Sequence, residues 1–392
     1  MSATATAGLP DSRLLQGVTI VDLSRVLAGP YCTMILAQLG ARIIKVEIPG
    51  TGDDSRAFGP FANGKSLYFS SINCNKESIA LNLKQPADRE IFEKLLAKAD
   101  VLVENYRPGT MEKLGYGWPS LHEKFPRLIY GAASGFGDTG PYSKRAAYDM
   151  VVQGLGGIIS MTGYPGGRPV RVGVSVGDMV AGLYLSIGLN AALYRRSVSG
   201  SGDKIDVAMF DCQVQFLEDA VTNYAKTGDI AGPLGTRHPS IVPFQAYKAK
   251  DGYVIIAAGN DHLYSLMCTA VQRPDLATDA RFSSNELRHE HVDALEEALE
   301  VTLLTKTVAE WLEALDAAGV PAAPINDVAN VVADPQVAAR NMIVAVNDPV
   351  IGEIKVSGSP IKVFGAEEHL DYAPPPEVDQ HRAEILAFLE HA

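Results

Sequence analysis

Over its first 140 residues the chain alternates short β-branched runs with helix-patterned stretches, and this alternation restricts the fold more than any other feature. Gly17–Leu23 (GVTIVDL) reads as a buried strand. Pro30–Leu39 reads as a helix that starts at its proline and stops at Gly40. Arg42–Glu47 is a second strand. Ser78–Leu83, a helix over Asp88–Ala97, and Val101–Glu104 repeat the plan, and Leu128–Ala132 adds another strand. Strands that alternate with helices are joined by right-handed crossovers. They predict an α/β fold, a Rossmann-like parallel sheet covered on both faces.

A length of 392 residues is too great for one simple core and suggests two or three domains. Two apolar helical stretches flank a Gly/Pro-rich turn at Thr162–Val172. Asp203–Met209 (DKIDVAM) comes next, followed by a helix to about Lys226. Phe244–Gly259 reads as a hairpin turning at Asp251-Gly252. The charge-rich helical segment beyond it reads as a smaller α+β domain. Met342–Val363 returns to short strands, and Ala383–His391 closes with a helix. The expected organisation is a large domain from 1–225, a small domain from 226–320, and a return to the large domain over 321–392.

Composition removes several classes. The charge of −12 argues against a nucleic-acid partner, whose phosphates need a basic face. A small anionic ligand needs only a local cluster of cations. Cys32, Cys74, Cys212 and Cys268 stand far apart with no CxxC pair, which favours a reducing compartment over a disulfide scaffold. The first residues lack the basic and apolar regions of a signal peptide. The longest apolar stretch, Met179–Tyr194, is shorter than the roughly 20 residues of a membrane span. A cytoplasmic, soluble protein without a membrane partner is the expectation.

Motifs for common chemistries are missing. There is no GxxxxGK[ST], and the chain after the first strand reads SRVLAGP instead of GxGxxG. No HExxH, HxH pair with partners, or GxSxG elbow is present. What remains is carboxylates among glycines. Asp178 follows strand-like residues and a glycine and opens a long apolar helix. It could cap that helix by accepting its free amides. Equally, the helix terminus favours an ionised carboxylate, and the glycine admits a ligand close to the backbone. Such a carboxylate beside a thioester is a competent nucleophile. Asp149 in AAYDMVVQGLGG has the same two readings. Arg25, Arg107, Lys113 and Lys84 are surface charges or, together, cations for a phosphorylated ligand.

In combination the motifs are specific. LxGVxIVDLSRVLAGPYCTMILAQLGARIIKVE is followed by GDDSRAFGP, SINCNKESIALNLK, ADVLVENYRPGTMEKLGY, AAYDMVVQGLGG, GDMVAGLY and GDKIDVAMFD. In this order they resemble the class III CoA-transferases, the family of formyl-CoA, oxalate, carnitine and glutarate CoA-transferases, from about Leu15 to the C-terminus. The resemblance implies that Asp178 is the nucleophile. It would form a mixed anhydride with the donor acyl group and then an aspartyl-CoA thioester, which the acceptor carboxylate attacks. It also implies no tightly bound cofactor and no metal, with acyl-CoA as substrate.

The same resemblance assigns CoA binding to Leu27 and Ala28, to Leu81, Asn82, Leu83 and Lys84, to Asn105, Tyr106 and Arg107, to Lys113, and to Tyr148 and Asp149. Ile48 and Ala146 replace basic residues of formyl-CoA transferase, so formyl-CoA is a disfavoured donor. GTRHPSIVPF resembles the oxalate and glutarate enzymes, implying a small dicarboxylate acceptor held by Arg237 or His238, with succinyl-CoA or acetyl-CoA as donor. Related α-methylacyl-CoA racemases carry a histidine at the position of Tyr148, a poor base at pH 7. Racemization and non-catalytic acyl-CoA binding are the alternatives. Family members form interlocked ring homodimers, which the resemblance extends to this chain.

Overall fold

The computed structural model describes residues 13–364 and 368–390. The chain divides into two compact units. One comprises the described residues up to 159, then 171–229 and 335–390. The other comprises 160–170 with 230–334.

In the first unit six parallel strands form one sheet. They are β1 (Thr19–Asp22), β2 (Arg42–Glu47), β3 (Lys76–Ala80), β4 (Val101–Glu104), β5 (Ile129–Ser134) and β6 (Lys204–Ala208). Their order is β3-β2-β1-β4-β5-β6. From β1 the chain builds outward in one direction through β2 and β3, then returns to β4 on the other side. Adjacent loops after β1 and β4 therefore diverge, and this switch point is where open α/β sheets bind ligands. β1, β4 and β5 are almost wholly buried, as expected for strands covered on both faces.

Three helices frame this site. Helix α1 (Ala28–Gln38) leaves the β1 loop, α2 (Asp149–Leu155) follows the β5 loop, and α3 (Val176–Ser199) precedes β6. The first helix starts two residues before Pro30, so the proline occupies its first turn without losing a needed amide bond. In α3 the buried residues Gly177, Val180, Ala181, Leu185, Leu189 and Ala192 recur every three to four positions, the stripe of a core-facing helix. Gly182 lets α3 approach α1 closely. A Cβ there would lie 2.7 Å from the carbonyl oxygen of Ala28.

The 24-residue α3 corrects the sequence expectation of a shorter apolar stretch. By length and composition alone it could cross a membrane, although its buried stripe packs in this unit's core. It begins at Val176, so the strand expected just before Asp178 is absent: residues 171–175 form neither strand nor helix.

The second unit carries an antiparallel sheet in which Tyr253–Ala257 lies between Phe244–Lys248 and Ala322–Pro324. The hairpin turns at Asp251-Gly252, as its sequence suggests. Helices bury Leu295, Leu299, Leu303, Trp311 and Leu315 against this sheet's Val254 and Ile256.

Candidate active site

A cavity of about 240 Å³ opens at the switch point. Its walls include the β1 loop (Arg25 to Ala28), the β4 loop (Asn105 to Pro108), the approach to α2, and Asp178. Two sets of contacts fix the β1 loop. Asn105 clamps it from β4: its side-chain oxygen accepts from Arg25 N at 2.7 Å, and its nitrogen donates to Arg25 O at 2.7 Å. Asp53 accepts from Val26 N at 3.1 Å, and buried Lys45 reaches both Ser24 O at 2.7 Å and Asp53 at 2.8 Å. Val26 needs this support because its φ of 67° is strained for a β-branched residue. Burial opposes ionization of Asp53, but Lys45 outweighs it and holds the carboxyl well below the usual range.

Leu27 and Ala28 accordingly stand at the start of α1 and line the cavity with Asn105, Tyr106 and Arg107. Arg25 lies over the Tyr106 ring, 5.1 Å from its centroid, and pairs with Asp54 at 3.1 Å. Beneath this loop, Glu104 accepts from Tyr106 N at 2.6 Å and Tyr130 Oη at 2.9 Å. Burial pushes the Glu104 carboxyl up to about 7.

Asp178 lies in the first turn of α3 and does not cap it. Ser175 occupies the cap position. Among the described residues the Asp178 carboxylate has no hydrogen-bond or ion-pair partner in the structure. Burial and then the Asp149 charge push its pKa up to about 7. Where the sequence suggests an ionised carboxylate favoured by the helix end, the structure adds loss of water and a neighbouring acid, both of which oppose ionization.

Asp149 explains part of this arrangement. It is the first residue of α2 and is buried. One oxygen accepts from Gly177 N at 2.8 Å, and the other accepts from Gln153 Nε2 at 2.7 Å. Gln153 in turn accepts from Val172 N at 3.0 Å, tying down the approach to α3. Asp149 therefore satisfies an amide of a helix 28 residues away instead of capping its own. Tyr148, next to it, is 77% exposed and lines the cavity.

The remaining expected residues lie elsewhere. Leu81 is buried in the core beneath β3. Asn82 engages local backbone, receiving Lys84 N at 3.1 Å, while its own amide donates to Asp88 at 2.8 Å. Leu83 is half-buried, and Lys84 and Lys113 are exposed. None of these five lines the cavity beside Asp178. β3 is two strands removed from β1, which accounts for the separation of its loop.

Arg237 and His238 belong to the second unit. Arg237 is already neutralised by Asp293 at 2.6 Å and by Glu296. The free cation expected for a substrate carboxylate is not there. His238 stacks on Phe244, and its Nδ1 accepts from Ser240 N and Ile241 N, both at 3.1 Å. It is a turn-organising histidine.

Arg145 is a cavity residue that sequence reasoning passed over. Nothing in a single exposed arginine distinguishes it before the chain is folded. Among the described residues no group of three or more His, Cys, Asp or Glu side chains is arranged to hold a metal ion.

Comparison with known proteins bears on this geometry. Residues 15–382 match the family model described as CoA-transferase family III. The chain is 44% identical to an acetyl-CoA:oxalate CoA-transferase of Acetobacter aceti, covering 94% of each chain. It is 39% identical to the succinyl-CoA:glutarate CoA-transferase of Homo sapiens, covering 95% of this chain and 85% of that one. Among solved structures, a CAIB/BAIF family protein from Brucella suis superimposes with a TM-score of 0.86 at 39% identity, covering 96% of this chain and 99% of the other.

Proposed function

The chain belongs to CoA-transferase family III and is a CoA-transferase, and from that premise we propose that Asp178 is its nucleophile and a small dicarboxylate its acceptor. One observation carries the assignment. Asp178 is an unpaired carboxyl, poised near neutrality, in a cavity at the switch point of the parallel sheet.

Ionised Asp178 attacks the donor thioester carbonyl and expels CoA as thiolate, leaving a mixed anhydride. The thiolate attacks the aspartyl carbonyl, releasing the donor acid as carboxylate and forming an aspartyl-CoA thioester. The acceptor carboxylate attacks that thioester, giving a second anhydride and a second thiolate. Attack of this thiolate on the acceptor's acyl carbon yields the new acyl-CoA and restores the Asp178 carboxylate. Each step exchanges one activated acyl bond for another, so the route draws on no external energy source.

CoA is a substrate here. Its nucleotide end is assigned to Asn105, Tyr106 and Arg107, which line the Asp178 cavity, with exposed Lys84 and Lys113 as outlying cations for phosphate. The dicarboxylate reading rests on the relatives that act on oxalate and glutarate, with acetyl-CoA or succinyl-CoA as donor. Racemization and bare acyl-CoA binding have no comparable support.

A homodimer belongs to the same reading. Leu183, Ile187, Tyr194 and Val198 form an exposed apolar stripe on α3, opposite its buried stripe. A second copy is the occupant we assign to it, checked by light scattering of the purified protein. Four buried free cysteines accord with a reducing, cytoplasmic setting.

The test of the nucleophile is chemical trapping. Incubation with acetyl-CoA and hydroxylamine should convert Asp178 to its hydroxamate, located by peptide mass spectrometry. An unmodified Asp178 in a protein that turns over would overturn the assignment.

A further inference from the structure

We propose that Arg145 holds the second, non-reacting carboxylate of the dicarboxylate substrate. The inference rests on the reading that Asp178 reacts with small dicarboxylates, and it names the residue that selects them.

Chemistry sets the requirement. A dicarboxylate joined to Asp178 through one carboxylate carries its other negative charge into a cavity that already holds Asp178 and lies beside buried Asp149. That charge needs a cation, and an arginine supplies paired, directional hydrogen bonds. The arginine expected for this task, Arg237, is consumed by Asp293 and Glu296.

Three arginines line the cavity of Asp178: Arg25, Arg107 and Arg145. Arg25 is paired with Asp54. Arg107 stands on the β4 loop with the residues assigned to the CoA nucleotide. Arg145 is on the opposite approach, four residues before Asp149, whose carboxylate bonds the amide adjoining Asp178. Among the described residues no carboxylate lies within ion-pair distance of its guanidinium in the structure. It nevertheless has neighbours that position it. Its amide donates to Tyr142 O at 2.8 Å, and the guanidinium lies 4.5 Å from the Tyr142 ring centroid and 5.5 Å from that of Phe136. Stacking on aromatic faces uses the plane of a guanidinium and leaves its N–H edge free for a carboxylate. An unpaired, aromatically supported arginine sharing a cavity with a reactive aspartate is suited to orient an anionic substrate.

The experiment compares wild type with Arg145→Ala and Arg145→Lys, using acetyl-CoA as the donor because its acyl group has no second carboxylate. Oxalate and glutarate are compared with butyrate as acceptors. In Arg145→Ala, kcat/KM for both dicarboxylates should fall about 10- to 100-fold, the loss expected for a hydrogen-bonded charge. The butyrate value and the acetyl-CoA KM should change less than about threefold. Arg145→Lys should restore part of the dicarboxylate rate. An equal fall for butyrate would mean that Arg145 serves the reacting carboxylate, and a raised acetyl-CoA KM with unchanged acceptor selectivity would mean a CoA phosphate. Either result, or no change at all, overturns the proposal. Calorimetric titration of glutarate and butyrate into the CoA-saturated proteins gives an answer independent of turnover. Selective loss of glutarate binding in Arg145→Ala supports the assignment even if Asp178 is not the nucleophile, and equal binding refutes it.

Discussion

Asp149 accepts a hydrogen bond from the Gly177 amide at 2.8 Å, so a carboxylate on one helix completes the first turn of another beside Asp178. The same charge that orders the backbone opposes ionization of Asp178. Position and acidity are thus coupled through one side chain.

Asp149→Ala and Asp149→Asn together separate the two effects. Removing the charge should lower the Asp178 pKa and move the acid limb of the kcat/KM profile to lower pH. Removing the hydrogen bonds to Gly177 and Gln153 should lower kcat by roughly tenfold or more through misplacement, and stability by about 2 kcal/mol. Asp149→Asn retains an acceptor for Gly177 and should recover much of kcat while keeping the shifted profile. A profile unmoved in both variants would contradict the coupling.

On the proposal that Asp178 is the nucleophile, wild-type kcat/KM should rise about tenfold per pH unit below 7 and level off above it, because that carboxyl must be ionised to attack and burial pushes it up to about 7. Stability runs the opposite way. A carboxyl whose folded pKa is raised binds its proton more tightly when folded, so stability falls as pH rises from about 4 to about 7. Asp178→Asn removes that cost. Its melting temperature should exceed the wild-type value at pH 8 and converge with it near pH 4, with transfer abolished throughout.

Asn105→Ala should loosen the β1 loop. It strands the Arg25 amide and carbonyl, both of which Asn105 now satisfies. A loss of about 1–3 kcal/mol in denaturant unfolding is expected. The acyl-CoA KM should rise about tenfold, more than the acceptor KM, because the loop it clamps is the one proposed to receive the nucleotide. Equal effects on both substrates would remove the loop from CoA recognition.

Arg237→Ala should leave the ratio of dicarboxylate to monocarboxylate rates unchanged, in contrast to Arg145→Ala. Its guanidinium serves Asp293 and Glu296, so the variant should lose at most about 1 kcal/mol of stability. A drop in dicarboxylate selectivity would return Arg237 to the substrate site.

Local pattern alone located much of the fold. Arg42–Glu47 and Val101–Glu104 are strands with the same limits in sequence and structure, and the hairpin turns at Asp251-Gly252. Each is governed by neighbours within a few residues: β-branched runs, an Asp-Gly turn, a glycine stop. The ordered motifs likewise sufficed to identify the family. Periodicity was weaker where an element's end depends on tertiary contact. Pro30 did not begin its helix, and the stretch before Asp178 is not a strand.

The composition of the site was decided only by the tertiary structure. Sheet order brings the β1 loop beside the β4 loop and leaves the Leu81–Lys84 segment two strands away, although all three follow strands of the same sheet. The partners of Asp149, the neutralization of Arg237 and the unpaired state of Arg145 depend on residues up to 59 positions distant. No local pattern encodes them. Desolvation, the main cause of the raised Asp178 pKa, exists only once the surrounding chain has excluded water. The sequence determined which residue types were available and which elements they would form. Packing across the sheet determined which charges would meet, because electrostatic and hydrogen-bond energies depend on distance in space, whatever the separation along the chain.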